Sequence, residues 1–394
     1  MKTHLSSFSI QAAAAGLLAA FVGFASSFAV VVHGLRAAGA SEAEAASGLM
    51  AVAIAMGVCG IYLSLKTRLP ISVAWSTPGA ALLASSQMVE GGFPAAVGAF
   101  LVAGVLVVIA GQWKPLARAV AAIPASLANA MLAGILLMLC LAPLCLAPVK
   151  AVAQMPMIAL PIVVVWAVVA RFKRLFAVPA AVLVTVVAIV LTADTGVSIG
   201  SLWPQPIFIT PVFTIPSLIG IAIPLFIVTM ASQNIPGMAV LALNDFRPDA
   251  GPLFTATGLF SLLAAPFGGH AVNLAAITAA LCAGPDAHLD PTRRYWSAVV
   301  AGGVYVVFGL LAGLATALIA VSPPVLIEAV AGLALLGAFG NSLLAAVSEP
   351  ADREAAVITF VVAASGLTLF GIGGAFWGLI AGGAIRMLAR SKFR

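Results

Sequence analysis

Apolar runs of about 17 to 25 residues, separated by short polar breaks, fill almost the whole chain. They lie near 10–33, 44–65, 69–88, 93–112, 120–142, 152–170, 175–193, 213–234, 251–266, 267–284, 295–320, 324–346, 353–370 and 371–389. At 1.5 Å rise per residue, each is long enough to cross a hydrocarbon layer of about 30 Å as a helix. The pattern predicts an all-α polytopic membrane protein with 14 transmembrane segments and both ends on one side. Spans 3 and 10 are the irregular ones.

Their irregularity has the same form twice. Span 3 reads "LPISVAWSTPGAALLA": Pro70, a short extended-looking stretch, Ser76 and Thr77 as N-cap candidates, then Pro78 at the first helical position, where a missing N–H costs nothing. Span 10 reads "APFGGHAVNLAAITAALCAG": Pro266, a short extended stretch, Asn273 as the N-cap candidate, then a small-residue helix. Asn273 follows Thr77 by 196 residues, and half of the 394-residue chain is 197. Seven spans per half is odd, so the two halves insert upside down relative to each other. This predicts a 7+7 inverted repeat. The junction is the proline-rich polar stretch "DTGVSIGSLWPQPIFITPVFTIPS" at 194–217. An ordinary Ser-Thr-Pro kink would leave the matching feature in the other half without a cause.

A helix that begins partway across the membrane points unpaired N–H groups and the positive end of its dipole at the midplane. Two antiparallel ones meeting there would form an anion site without a buried cation. Non-helical backbone at that depth requires an enclosed cavity, and paired interruptions of this kind point to a transport site.

Charge tests the span count. With the N-terminus inside, 16 of the 18 basic residues fall in cytoplasmic segments, among them Lys66, Arg68, Lys114, Arg118, Arg171, Lys173, Arg174, Arg293, Arg294 and the C-terminal Arg386 to Arg394 group, and only Arg36 and Lys150 fall outside. Both termini are therefore expected in the cytoplasm. Composition agrees: 63% hydrophobic, 8% charged, mean hydropathy +1.19, against roughly 25% charged for a soluble domain. The net charge of +6 is a topology signal, so no nucleic-acid partner is expected. The first apolar run continues without a cleavage site and reads as span 1, not a signal peptide. Cys59, Cys140, Cys145 and Cys282 lie inside apolar runs without metal-ligand spacing and read as packing residues. No metal and no cofactor is expected.

Three stretches carry a family resemblance: "LPISVAWSTPGAALLA", "IPLFIVTMASQNIPGMAVL" and "AAPFGGHAVNLAAITAAL". With the length and fourteen spans, the whole chain resembles the benzoate/proton symporter (BenE) family. The resemblance implies a cytoplasmic (inner) membrane of a bacterium and the architecture shared by nucleobase symporters and sulfate-type anion exchangers. A core domain would comprise spans 1–4 (1–115) and 8–11 (213–321), and a gate domain spans 5–7 (116–195) and 12–14 (322–394). The nucleobase relatives place carboxylates on spans 8 and 10, whereas this chain has Gln233, Asn234 and Asn273 there. A carboxylate would repel an anion, while amides can donate hydrogen bonds to it. The substitution favours an acid substrate, and the expected partners are a small aromatic carboxylate, a proton and membrane lipid.

The candidate substrate-binding residues are Trp75, Ser76, Thr77, Gly79, Gln233, Asn234, His270, Asn273 and Leu274. Trp75, with Phe24, Phe28 and Phe267, would face the ring of the substrate; Ser26 and Ser27, midway along span 1, would add hydroxyls. His270 is the candidate for proton coupling, because an imidazole titrates near pH 6.5 and this one lies in the interrupted part of span 10. Glu328 is the one acidic residue placed inside a span, and a proton carried on the substrate carboxyl is a third route. Gly374, Gly378 and Gly382 form a GxxxG-type stripe on span 14, suited to packing within the gate or to a homodimer contact. No HExxH, GxSxG or paired buried carboxylates support an intramembrane enzyme. Two half-helices closing on a midplane site argue against a passive channel. Exchange or uniport of another small anion is the competing reading of the transport class.

Overall fold

The computed structural model describes residues 8–85, 90–121, 123–144, 155–192, 204–369 and 372–391. Each of the fourteen apolar runs carries an ordered element among them. Among the described residues seven helices are long and apolar enough to cross a membrane, and an eighth span is bent by 56° between Pro291–Leu310 and Ala312–Ile319. Spans 5, 7, 13 and 14 carry the helices Ala125–Leu144, Ala177–Thr192, Arg353–Ala364 and Gly374–Ser391. Spans 3 and 10 are each a three-residue strand followed by a short helix: β1 (Val73–Trp75) with Thr77–Ser85, and β2 (Val272–Leu274) with Ile277–Ala283. The chain is a multi-pass membrane protein.

Local chemistry explains the other breaks. Span 1 is interrupted between Ile10–Ala25 and Phe28–Ala37, where Ser26 and Ser27 both turn their hydroxyls back on the Gly23 carbonyl (3.1 and 3.0 Å) and compete with the helical ladder. Span 8, Ile215–Leu243, contains two π-helical turns, Leu218–Ala222 and Met230–Asn234, each followed within two residues by a proline, Pro224 and Pro236. A proline ring collides with the carbonyl four residues earlier, and the wider turn absorbs the collision.

Small residues set the helix spacing. Spans 2 and 11 cross at Gly57 and Gly302, where a Cβ on either would come within 2.5 Å of the other's carbonyl oxygen. Spans 4 and 9 approach less closely at Gly104 and Gly258, where a Cβ would lie 3.5 and 3.0 Å from the other's carbonyl oxygen. The stripe Gly374, Gly378, Gly382 lies on span 13: a Cβ at Gly378 would meet the Thr359 carbonyl at 2.7 Å, and one at Gly382 the Ala355 carbonyl at 2.7 Å. That face is therefore consumed within the chain and is not open to a second copy. At the same end, the buried Asp352 accepts from Arg386 Nε (2.6 Å) and from Ser126 Oγ (3.0 Å), tying spans 5, 13 and 14 together.

Two expectations about the repeat need correction. The span-10 helix does not start at Asn273: it starts at Ile277 with Ala276 as its cap, and Asn273 is the central residue of β2. The equivalence of Thr77 with Asn273 fails for the same reason, since the two half-helices begin 200 residues apart, at Thr77 and Ile277. The junction at 194–217 falls partly outside the described residues. Its described part runs extended along the molecule, with Ile207 N–H donating to Ser47 Oγ (2.9 Å), Ile209 N–H to the Pro266 carbonyl (2.8 Å) and Val212 N–H to the Pro94 carbonyl (3.0 Å). Cys59 and Cys282 are buried thiols in the packing; Cys145 and the side chain of Cys140 lie outside the described residues, as does that of Glu328.

Candidate functional site

The two interrupted spans meet through their strands. β1 and β2 pair antiparallel in the register Val73 with Leu274, Ala74 with Asn273 and Trp75 with Val272. Backbone at this depth must find its partners inside the protein, and here each half-span supplies them for the other. Ser76 N–H donates to the Ala271 carbonyl (2.9 Å), and Ala275 N–H to the Ser72 carbonyl (2.9 Å).

Ser76, fully buried, is the hub. Its hydroxyl accepts from Gly79 N–H (3.0 Å), which caps the span-3 half-helix, and from Thr229 Oγ1 on span 8 (3.1 Å). Its carbonyl accepts from Ala80 N–H (2.8 Å) and from His270 Nε2 (3.0 Å). A carbonyl cannot donate, so Nε2 of His270 carries the proton. In the neutral ring Nδ1 is then the bare acceptor, buried and without a partner among the described residues. In the orientation that satisfies both neighbours, the Asn273 amide accepts from Ser76 N–H (3.1 Å) and donates to the Leu274 carbonyl (2.9 Å). Asn234 closes the set from span 8: its Oδ1 accepts from Leu274 N–H (2.8 Å), and its Nδ2 lies 3.2 Å from Met230 Sδ. Gly79 is needed for closeness, since a Cβ there would lie 2.5 Å from Leu225 Cδ1 and 2.8 Å from Ser76 Oγ.

A cavity of about 440 Å³ opens beside this junction, within the range of about 300–1,000 Å³ usual for small-molecule sites. Ala74, Trp75, Thr77 and Pro78 of span 3 and Ala275, Ala276 and Thr278 of span 10 form one wall, with Gly23, Ser26 and Ser27 of span 1 and Gln233 of span 8. The facing wall is Leu136 of span 5, Arg174 and Val178 at the join of spans 6 and 7, and Ala334, Leu335, Gly337, Ala338 and Asn341 of span 12. Trp75 is held edgewise: its Nε1 donates to Ser27 Oγ (2.9 Å), and Phe24 packs against it at 5.2 Å between ring centroids. Phe28 and Phe308 back Phe24 at 5.7 and 4.8 Å.

The candidate residues thus divide. Trp75, Thr77 and Gln233 line the cavity, and so do Ser26 and Ser27. Ser76, Gly79, Asn234, His270, Asn273 and Leu274 lie behind that surface and hold the two half-spans together. Phe267 packs against Phe208 at 6.1 Å, away from the cavity lining. The expected row of bare N–H groups is shortened on span 3, because Pro78 has none and Ser76 engages those of Gly79 and Ala80. The span-10 half-helix has no such side-chain cap. Among the described residues the cavity lining contains no carboxylate, and Arg174 is its sole charged residue. Sequence reasoning placed Arg174 among the topology charges. Only the fold shows that it reaches the cavity.

Comparisons with known proteins identify the family and the fold. The family model described as benzoate membrane transport protein matches residues 6–388. The chain is 41% identical over 371 residues to the inner membrane protein YdcO of Escherichia coli (strain K12), covering 94% of this chain and 93% of that one. It is 32% identical over 388 residues to the benzoate membrane transport protein of Acinetobacter baylyi, covering 97% and 96%. Among solved structures, the fold resembles the transmembrane domain of a cyanobacterial bicarbonate transporter, BicA (TM-score 0.57, 16% identity, 96% of each chain). It also resembles the murine Slc26a9 anion transporter in its inward-facing state (TM-score 0.63, 14% identity, 97% of this chain and 68% of that one).

Proposed function

The chain belongs to the benzoate membrane transport protein family, and on that premise we propose that it takes up benzoate or a similar small aromatic carboxylate with a proton. The observation that carries this reading is the cavity's composition. The aromatic faces of Trp75, backed by Phe24, and of Tyr305 stand beside the hydroxyl of Thr77, the amide of Gln233 and the uncapped end of the span-10 half-helix, with no carboxylate among the described lining residues. Apolar walls with a few donors suit a flat ring bearing one negative group. In this reading spans 1–4 and 8–11 form a core that carries the site, and spans 5–7 and 12–14 form the gate against which it moves. The antiparallel strands are the contact between two inverted repeats.

In the same proposal His270 couples the proton. Among the described residues Nδ1 has no partner, while Nε2 is committed to the Ser76 carbonyl at the start of the span-3 half-helix. A proton on Nδ1 would add a positive charge close behind the cavity wall and favour the anion, and the bound anion would favour the proton by the same factor.

Purified protein in liposomes tests both parts. Benzoate should accumulate when the outside is made acidic, with no anion inside. A requirement for internal anion would identify an exchanger and refute symport. Substituting His270→Gln keeps a donor to the Ser76 carbonyl and removes the titrating nitrogen. At alkaline pH the variant should bind benzoate within about twofold of the parent, yet it should lose the gain in affinity on acidification, a coupling normally worth about 5–150-fold, and with it accumulation driven by a pH gradient. Unchanged accumulation would make His270 a structural prop only.

A further inference from the structure

Arg174 follows the helix Pro156–Lys173 of span 6 directly, beside Arg171 and Lys173, which are exposed and suffice as topology charges there. A topology arginine ordinarily extends its guanidinium toward the headgroups. Arg174 does the opposite. Its Nη2 lies 3.9 Å from the place a Cβ would take at Gly337, which is ten residues before the end of the span-12 helix Pro324–Val347, or about 15 Å along its axis at 1.5 Å per residue. That depth is about half of a hydrocarbon layer of about 30 Å. Asn341, one helical turn from Gly337 toward the same end, also lines the cavity. Among the described residues no carboxylate pairs with Arg174, and the residue is exposed.

We propose that Arg174 is the specificity-determining cation of this transporter: it receives the substrate carboxylate on the wall formed by spans 7 and 12, and it does so only from the cytoplasmic face. The proposal rests on the transport reading above. A guanidinium presents paired donors that match a carboxylate, and Asn341 adds an amide on the same wall. Thr77, Gln233 and Trp75 stand on the other wall, so when the two walls separate or slide, Arg174 parts from the half-helix site. Substrate approaching from the opposite face meets the half-helices without Arg174. The cation therefore sets how tightly anions are held at the cytoplasmic step, and it discriminates against neutral aromatic compounds there.

The test measures half-saturating benzoate from each face, in intact cells for the outer face and in inside-out membrane vesicles for the cytoplasmic one. For Arg174→Gln, half-saturation in the inside-out vesicles should rise about three- to tenfold, the discount from a dry ion pair reflecting a water-filled cavity. In intact cells it should shift less than twofold. The rise should shrink in high salt, because the parent loses the attraction that the variant already lacks. Arg174→Lys keeps the charge without the paired donors and should recover part of the affinity. Gly337→Leu fills the space beside the guanidinium without removing the charge, and it should reproduce the one-sided effect. Equal changes at both faces, no change at the cytoplasmic face, or failure of the lysine to rescue would overturn the proposal. A parent protein that moves benzoate from neither face would instead overturn the transport reading, and this inference with it.

Discussion

Replacing Gln233 by Glu should weaken benzoate uptake at neutral pH about 10- to 100-fold. The two side chains are nearly isosteric, and Gln233 sits half-buried in the π-helical turn Met230–Asn234 facing the cavity, so little else changes. Two like charges about 5 Å apart at an effective dielectric near 20 repel by about 3 kcal/mol. Water in the cavity reduces this, which gives the lower end of the range. Gln233→Ala loses a donor and no more, and should weaken uptake only about two- to tenfold. Acidification should restore the Glu variant as the new carboxyl takes up a proton, which a misfolded protein would not do. Parent-like uptake by the Glu variant at pH 7 would show that this cavity does not hold the anion.

The parts of the site that were legible in the sequence are those that disturb a strong background. In an apolar chain a proline followed by Ser-Thr-Pro stands out, and the rule that half-helices need caps leads directly to Ser76 and Thr77. The fourteen spans were legible for the same reason, since each polar break interrupts a run whose length is fixed by the membrane. Asn273 was misread because Asn is a good cap and also a good cross-strand bridge. Nothing in its neighbours says that Ala276 is the cap instead, or that Ser76, nearly two hundred residues away, is the group it binds. Asn234 and His270 are polar residues in apolar spans, which marks them as important. Their partners are backbone groups of β2 and of Ser76, and pairings with backbone leave no trace in side-chain identity. Arg174 was hidden by its surroundings: in a run of three basic residues each serves equally as a topology charge, and the one that turns inward is distinguished only by the space at Gly337.

The most damaging change at the junction should be Asn273→Asp. Asn273 is fully buried, with its amide accepting from Ser76 N–H and donating to the Leu274 carbonyl. An aspartate keeps the first bond but points its second oxygen at the Leu274 carbonyl, acceptor against acceptor, and adds a charge where no cation is placed to meet it. Breaking a buried charged arrangement typically costs about 3–5 kcal/mol. Asn273→Ala leaves the Leu274 carbonyl short of one donor, while Ser76 N–H retains its bond to the Ala271 carbonyl (2.9 Å), for a cost of about 1–3 kcal/mol. The folded fraction in detergent and the unfolding temperature should therefore fall in the order parent, Ala, Asp. Had Asn273 been a simple helix cap, Asp would have been as good as Asn and Ala the harmful change. An anion site at Asn273 also predicts that Asp is worse than Ala, so that order by itself does not separate a prop from a ligand. Affinity measured on folded protein does: as a prop, Asn273→Ala should bind benzoate within about twofold of the parent, because Trp75, Thr77 and Gln233 still line the cavity. A large loss of affinity at parent-like stability would put the amide back in contact with substrate, and parent-like stability of the Asp variant would show that the Ser76–Asn273–Leu274 bridge does not hold the two half-spans together.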